Sequence, residues 1–434
     1  MTDTLWQFKR NCLYHRTAGA VSNRSAGEAA TGRIPGSWRL CSTALLVLAL
    51  AACRPAPASV TPEPPAMPSE PVLALVNGRL IDGTGSGPLE DAAVIIQGDR
   101  IVAVGPRGSV RIPAHAEVLD VQGATILPGF FNAHVHGAYD RERLEAWAQA
   151  GVTTVRDLHT SAVPPDYALR DQVNRDPRYA RLVVAGNFIT TPEGYPIQPW
   201  GLTAVTVTSP GAARQAAGQM LDSGADLIKT ALDSGRIFAQ AIPTLSDEEL
   251  AAMVDAAHRR GTRVSVHVTV SGDLERAVDA GVDDIAHMIV DHLPDELVGR
   301  MVAKGIYWVP TLELWKNVGH GFDSVAVRNL EIYAAVGGSV ALGTDFEGYY
   351  TPFQLGMPMI EMQMMRQAGM TPIQIIVAGT RNGAHVCNLE HELGTLEAGK
   401  IADLLVVRGD PLQDIQALAS AEWVIHNGVV IRSP

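Results

Sequence analysis

From residue 128 onward the chain repeats one texture: a short apolar strand, a loop, then an amphipathic helix. The strand runs are ILPGFFNAHVH, VTTVRDL at 152–158, RLVVAGNFIT at 181–190, DLIKTAL at 226–232, RVSVHV at 263–268, DDIAHM at 283–288, IYWVPT at 306–311 and SVALGTD at 339–345. Helical patterns lie between most of them. In LSDEELAAMVDAAHRRG, at 245–261, Ser246 precedes three acidic residues and Gly261 closes the run, the order expected of a capped helix. Strands alternating with helices in this way predict an α/β chain built on a (β/α)8 TIM-like barrel, here over residues 128–387. A barrel of this kind carries its chemistry at the C-terminal ends of its strands.

The flanks differ. Residues 72–127 hold LALVNGRLIDGTGSG, AAVIIQGDRIVAVG and AEVLDVQGATILPG, short β-rich runs broken by Gly and Asp turns. The tail, 388–434, returns to the same texture in GTLEAGKIADLLVVRG and AEWVIHNGVVIRS. The two flanks, 72–127 and 388–434, are expected to join in one small composite β-sandwich formed by both ends of the mature chain.

Residues 43–52, TALLVLALAA, form an apolar run too short to span a bilayer and suited to a secretory h-region. Residues 1–52 therefore read as leader and signal peptide, with an n-region so long that a start codon assigned too far upstream is the preferred explanation. The run ends in Leu50-Ala51-Ala52-Cys53, which resembles a bacterial lipobox with Cys53 as the lipidated residue; an ordinary signal peptide cut nearby, or a buried helix, is the alternative. Residues 53–71 would then be the lipidated cysteine and a tether, with seven prolines between 54 and 71. These features imply a bacterial cell-envelope protein, an outer-membrane lipoprotein facing the periplasm, with the membrane as a partner through the lipid on Cys53. Of four cysteines only Cys387 falls within the folded region, so no disulfide framework is available to the core. With 34 Lys and Arg against 46 Asp and Glu, the net charge is −12, and no basic stripe is present. Nucleic acid is not an expected partner.

Polar residues at the strand ends point to a metal centre. His134 and His136, in NAHVHG, stand two apart on a strand and share a face. Alone, such a pair is more often two satisfied or exposed histidines than a ligand pair. Its company changes the reading, because His267, His287 and Asp345 end the fifth, sixth and eighth strands. Four histidines and one aspartate at one barrel mouth make a donor set suited to zinc. Lys229 sits inside the apolar fourth strand, where an isolated ammonium is costly. Two solutions are open: pairing with a carboxylate, or a carbamate formed with CO2, which turns the cation into an anionic oxygen ligand.

The ordered motifs LPGFFNAHVHG, AGVTTVRDL, GADLIKT, VHVTVSGDLERAVDAGVDDIAHM, VPTL, LGTD and GTLEAGKIADLLVV resemble the metal-dependent amidohydrolase superfamily, in its imidazolonepropionase-like and Xaa-Pro-dipeptidase-like branch. The resemblance covers 72–434. It implies a distorted barrel with a small β-sandwich, and two divalent metal ions, zinc by preference. One ion would be held by His134, His136, Lys229 and Asp345, the other by carboxylated Lys229, His267 and His287. A metal-bridging hydroxide would attack the substrate carbonyl, and Asp345 would act as the catalytic proton shuttle.

The expected substrate is a small-molecule amide, dipeptide-like (Xaa-Pro included) or an N-acyl amino acid. A lactonase or arylesterase on the same site is the alternative, and a non-catalytic metal-binding lipoprotein is a third reading. Tyr139, His159, Tyr195, Arg236 and His292 are candidate substrate contacts, with Asp233, Glu347, Tyr349 and Tyr350 also within loops at the mouth. His258, His320, His385, His391 and His426 are assigned ordinary surface roles. The Met residues at helical spacing in 361–370 are assigned to core filling.

Overall fold

The structure, a computed structural model, describes residues 70–434. The apolar run, Cys53 and the proline-rich tether lie outside the described residues. Among those described, no helix is long and apolar enough to cross a membrane.

Five strands open this region: β1 (Val72–Leu80), β2 (Leu89–Gln97), β3 (Arg100–Pro106), β4 (Glu117–Asp120) and β5 (Thr125–Pro128). Nine follow: β6 (Phe130–Val135), β7 (Val152–Asp157), β8 (Arg181–Val184), β9 (Ile189–Thr190), β10 (Val205–Thr206), β11 (Ile228–Leu232), β12 (Val264–Val268), β13 (Asp284–Ala286) and β14 (Tyr307–Val309). The last three are β15 (Leu404–Val407), β16 (Ala421–His426) and β17 (Val429–Arg432).

Strands from both ends of the described chain share one eight-stranded mixed sheet, in the order β17-β16-β15-β5-β1-β2-β3, with β4 pairing β1. The join is the antiparallel pair of β5 with β15, in register Leu404 to Pro128 and Val407 to Thr125. Alternate residues of β2 face two cores: Ala92, Val94 and Ile96 are buried with Leu75, Ile126, Leu404 and Ile425, and Ile95 with Val72 and Ala74.

The middle strands are parallel and lie in two sheets: β6-β7-β8, and β10-β9-β11-β12-β13-β14. Two expected strands depart from regular ladders. The third is interrupted, β8 and β9 being separated by Ala185–Phe188. The eighth, 339–345, forms no named strand. It runs between β14 and β6, bridging Val340 to Trp308 and Phe346 to Val135. Ala341 N donates to Trp308 O at 2.9 Å, and Ala133 N donates to Leu342 O at 2.8 Å. Gly343 explains this close approach: a Cβ there would sit 2.9 Å from His134 N and would collide with a Val309 methyl.

Helices between the strands are amphipathic and locally encoded. The helix Asp247–His258 starts on Ser246, which accepts from Glu249 N while the Glu249 side chain accepts from Ser246 N, a capping box. Met362, Met364, Met365 and Met370 are buried, as core filling requires. His426 corrects one expectation. It is buried rather than a surface residue, with Nδ1 2.9 Å from Pro177 O and Nε2 3.7 Å from Asp403. It belongs to a buried knot in which Arg181 of β8 donates to Asp403 and Asn427, and Asn427 N donates to Asp403.

Candidate metal centre

Of the six expected ligands, His134, Lys229 and His267 lie in β6, β11 and β12, His136 and His287 directly follow β6 and β13, and Asp345 lies in the 339–346 segment. All but His136 are buried. Asp345 Oδ1 lies 2.9 Å from both His134 Nε2 and His136 Nε2. The His134 ring is 4.8 Å from that of His287, which is 4.5 Å from that of His267. Ligand atoms of His134, His287 and Asp345 all fall within 4.8 Å of one another. Lys229 Nζ is buried without a hydrogen-bond partner, 5.5 Å from the Phe188 ring.

The backbone is bent to achieve this. His287, Thr311 and Asp345 have φ of 73°, 49° and 62°, in the left-handed region that non-glycine residues seldom occupy. Strain of this sort persists where surrounding contacts over-determine it, most often at functional sites. Asp345 is held by its own N–H to His134 O (2.9 Å). Asn132 ties the same two segments: its Nδ2 donates to Thr344 Oγ1 and its Oδ1 accepts from Thr344 N. Gly348 leaves room for the carboxylate, since a Cβ there would collide with Asp345 Oδ2.

Two imidazoles are oriented by neighbours. His267 Nε2 lies 2.9 Å from Asp233 Oδ2, which also accepts from Thr269 Oγ1, while Asp233 Oδ1 accepts from Gly235 N. His287 Nδ1 lies 2.9 Å from Thr311 Oγ1. Each contact engages one ring nitrogen and leaves the other for the centre, the arrangement that fixes the tautomer of metal-binding histidines.

The electrostatics favour the metal-binding protonation states. Burial pushes His134 down to about 3, against the pull of Asp345, and also lowers His267 and His287. Burial would raise Asp345, but His134, His287 and His136 outweigh it and hold the carboxyl well below the usual range. His136 goes the other way: burial lowers it, and Asp345 more than compensates. Burial takes Lys229 down to about 7, with Arg156 adding to the effect and Asp284 and Asp345 opposing it. Neutral imidazoles at His134, His267 and His287, an ionised carboxylate and a lysine amine that is readily deprotonated fit a divalent ion, while His136, held up by Asp345, would give up its proton to bind one. An ammonium with no partner fits this burial poorly.

Beneath the centre lies a pair that sequence reasoning missed. Arg156 of β7 makes a bidentate contact with Asp284 of β13, both bonds 2.9 Å and both side chains fully buried. Arg156 also donates to Ala133 O and Val386 O, and Ser265 Oγ donates to Asp284. The available signal was a charged residue inside an apolar strand, the same one that singled out Lys229.

The candidate substrate contacts divide. Tyr195 stacks on His267 with centroids 3.9 Å apart, and His159 stands 6.3 Å from His136 with Nε2 3.1 Å from Thr203 O. Tyr139 is half-buried, its hydroxyl raised by burial and by Asp157 and Tyr167 nearby. Arg236 points outward, 70 % exposed, and pairs with Asp291. His292 is exposed. Glu347 is exposed and bound by Arg143 at 2.6 Å. Tyr349 and Tyr350 fall in a single 3-10 turn, Gly348–Tyr350. Asp233, expected only as a loop residue at the mouth, is the partner of His267.

The model of the amidohydrolase family matches residues 125–430. A curated adenine deaminase from Chelativorans sp. (strain BNC1) is 26 % identical over 366 residues, 83 % of this chain and 58 % of its own length. The chain thus spans under two thirds of that relative. An imidazolonepropionase from Geobacillus sp. (strain WCH70) is 24 % identical over 404 residues, covering 80 % of this chain and 91 % of its own. Among solved structures, a Xaa-Pro dipeptidase with methionine bound in its active site has a TM-score of 0.72 at 26 % identity, covering 83 % of this chain and all of the other. The family match spans both parallel sheets and the strand-end residues described above, and the chain belongs to the amidohydrolase family.

Proposed function

We propose that this protein is a metal-dependent hydrolase that cleaves the amide C–N bond of a dipeptide-like or N-acyl amino acid substrate. The observation that carries the reading is the convergence of four histidines and Asp345 beside a buried, unpartnered Lys229 amine. His134, His136, Lys229 and Asp345 would hold one divalent ion; Lys229, as its carbamate, with His267 and His287 would hold the other, zinc in both cases. When bound, such ions supply Lewis acidity and lower the pKa of water.

The chain's own groups do the rest. Asp345, ionised and fixed between two imidazoles, can accept a proton from water and return it to the leaving nitrogen. An amine leaves only when protonated, so amide cleavage leans on Asp345 more than ester cleavage would. The neutral Lys229 amine can add to CO2, forming an N–C bond and releasing a proton, and the product carbamate is the anionic oxygen ligand. His159 and Tyr195 border this space and can contact substrate.

The scaffold reading goes with it: the two parallel sheets are arcs of one (β/α)8 barrel over 128–387, closed through 339–346. The mixed sheet would be the composite domain from 72–127 and 388–434. Lipidation at Cys53 and an outer-membrane, periplasm-facing location complete the proposal, on the residues of the leader alone.

The relatives also support one second reading, deamination, because the adenine deaminase match extends over most of the chain. The test is a panel of Xaa-Pro and other dipeptides, N-acyl amino acids, adenine, lactones and aryl esters, run on zinc-loaded full chain and on Asp345→Asn. The proposal expects amide turnover, lost by about 100-fold or more in Asp345→Asn. Turnover of adenine alone would select the deaminase. Ester turnover that survives Asp345→Asn would select the lactonase or arylesterase. No turnover of any class would leave a metal-binding module.

A further inference from the structure

An aromatic wall leads from solvent to the metal centre. Trp200, Phe238 and Tyr349 are each half-buried and come from three separate loops, after β9, after β11 and after Asp345. Trp200 meets Phe238 edge-on at 5.6 Å and Tyr349 edge-on at 4.9 Å. Phe238 and Tyr349 are nearly parallel, 8° apart in plane with centroids at 6.1 Å. Tyr195 lies 6.3 Å from Phe238 and stacks directly on His267. Trp315, fully buried, continues the ring contacts inward, 6.4 Å from Tyr349 and 6.2 Å from His287. The rings therefore form a continuous chain from the surface to two of the site histidines.

Trp200 and Phe238 pack against a small core of Phe188, Tyr195, Ala231 and Ile242 but are not enclosed by it. The outer three rings keep part of their surface in water, at the end of the strands where the candidate ligands sit. Arg236, two residues before Phe238, turns its guanidinium to Asp291 instead of joining the wall. The wall thus presents flat, uncharged faces and edges beside the groups that do the chemistry. A planar ring entering it makes the same edge-to-face and offset contacts that the rings now make with one another. A saturated side chain of equal size buries similar area but lacks the ring quadrupole that these contacts use.

We propose that Trp200, Phe238 and Tyr349 form a subsite for an aromatic group adjacent to the scissile amide, so that aryl-bearing amides are the favoured substrates. This rests on the amide-hydrolase reading above and narrows it to a substrate class.

The experiment uses zinc-loaded full chain and four probes: N-acetyl-L-phenylalanine, N-acetyl-L-cyclohexylalanine, N-acetyl-L-alanine and phenylacetylglycine, which carries its ring on the acyl side. Turnover gives kcat/KM, and calorimetric titration gives affinity whether or not turnover occurs. At least one aryl probe should exceed the alanine probe by about tenfold or more, and the cyclohexyl probe should fall between. Phe238→Ala and Trp200→Ala should reduce that preference to about twofold or less with metal content unchanged, while Trp200→Phe keeps most of it. Equal treatment of aryl and alanine probes, or a preference indifferent to both alanine variants, would overturn the proposal. Amide turnover without aryl preference removes the subsite and leaves the hydrolase. Selective aryl binding without turnover, lost in Trp200→Ala, keeps the subsite and removes the hydrolase.

Discussion

Asp233→Ala tests whether the contacts around the ligands set metal affinity. The Asp233 carboxylate accepts from His267 at 2.9 Å, and it is held in turn by Thr269 Oγ1 at 3.2 Å and Gly235 N at 2.8 Å. Removing it strands the His267 Nε2 proton in a buried site and frees the ring to rotate. A hydrogen bond involving a charged group contributes about 1.5–3 kcal/mol. If all of that is lost from the bound state, affinity falls about 10- to 150-fold. That range agrees with the 10- to 100-fold cost, roughly, of removing a carboxylate behind a metal-binding histidine. Competition against a chelator of known zinc affinity measures the change. Asp233→Asn keeps an acceptor oxygen and should recover most of the loss, and circular dichroism of both variants separates misfolding from weakened binding. Folded Asp233→Ala with unchanged zinc affinity would refute the reasoning.

Further outcomes follow from the buried charges. Arg156→Ala leaves Asp284 buried with Ser265 as its remaining side-chain donor. Breaking such a pair costs about 3–5 kcal/mol, a fall in Tm of about 4–7 °C for a cooperative unit of this size, while Arg156→Met with Asp284→Leu should recover most of it. A double variant as unstable as the single, by differential scanning calorimetry, would count against the pair as the cause. Burial acts to raise Asp403, but Arg181 and His426 outweigh it and hold the carboxyl below its ordinary 3.8. A carboxyl depressed in the folded state contributes stability in full above its unfolded pKa, and that stability is lost as pH falls through the folded value. Urea midpoints measured from pH 6 down to pH 3 should therefore drop less steeply in Asp403→Asn than in the parent chain; parallel profiles would contradict the assignment. Trp200→Phe should leave zinc affinity unchanged, measured by the same chelator competition, because the edge-on contacts of its ring are with Phe238 and Tyr349, neither of them a candidate ligand.

The sequence was most legible where chemistry coincides with strand period. His134 and His136 are two apart on one strand, and Lys229 is a cation inside an apolar run, so each advertises itself locally. Asp233 was visible as a loop residue but not as the partner of His267, because 34 positions separate the two and only parallel pairing of β11 with β12 brings them together. Arg156 and Asp284 are 128 apart and meet across two different sheets. The eighth strand reads as regular in sequence, yet Gly343 and the positive φ of Asp345 replace a ladder with isolated bridges. His426 was misread because a polar residue near a chain end is usually exposed; here Asp403 and Pro177 enclose it. The wall of Trp200, Phe238 and Tyr349 had no periodic signature, since each ring sits in a separate helical turn of three or four residues, too short to show a period.

Metal content of the purified full chain, reconstituted with zinc and bicarbonate, bears most directly on the whole account. Elemental analysis should find about two zinc ions per wild-type chain, and about one or fewer in Lys229→Ala. Wild-type chain that retains no zinc, or a Lys229→Ala chain that holds two as tightly as wild type, would contradict it.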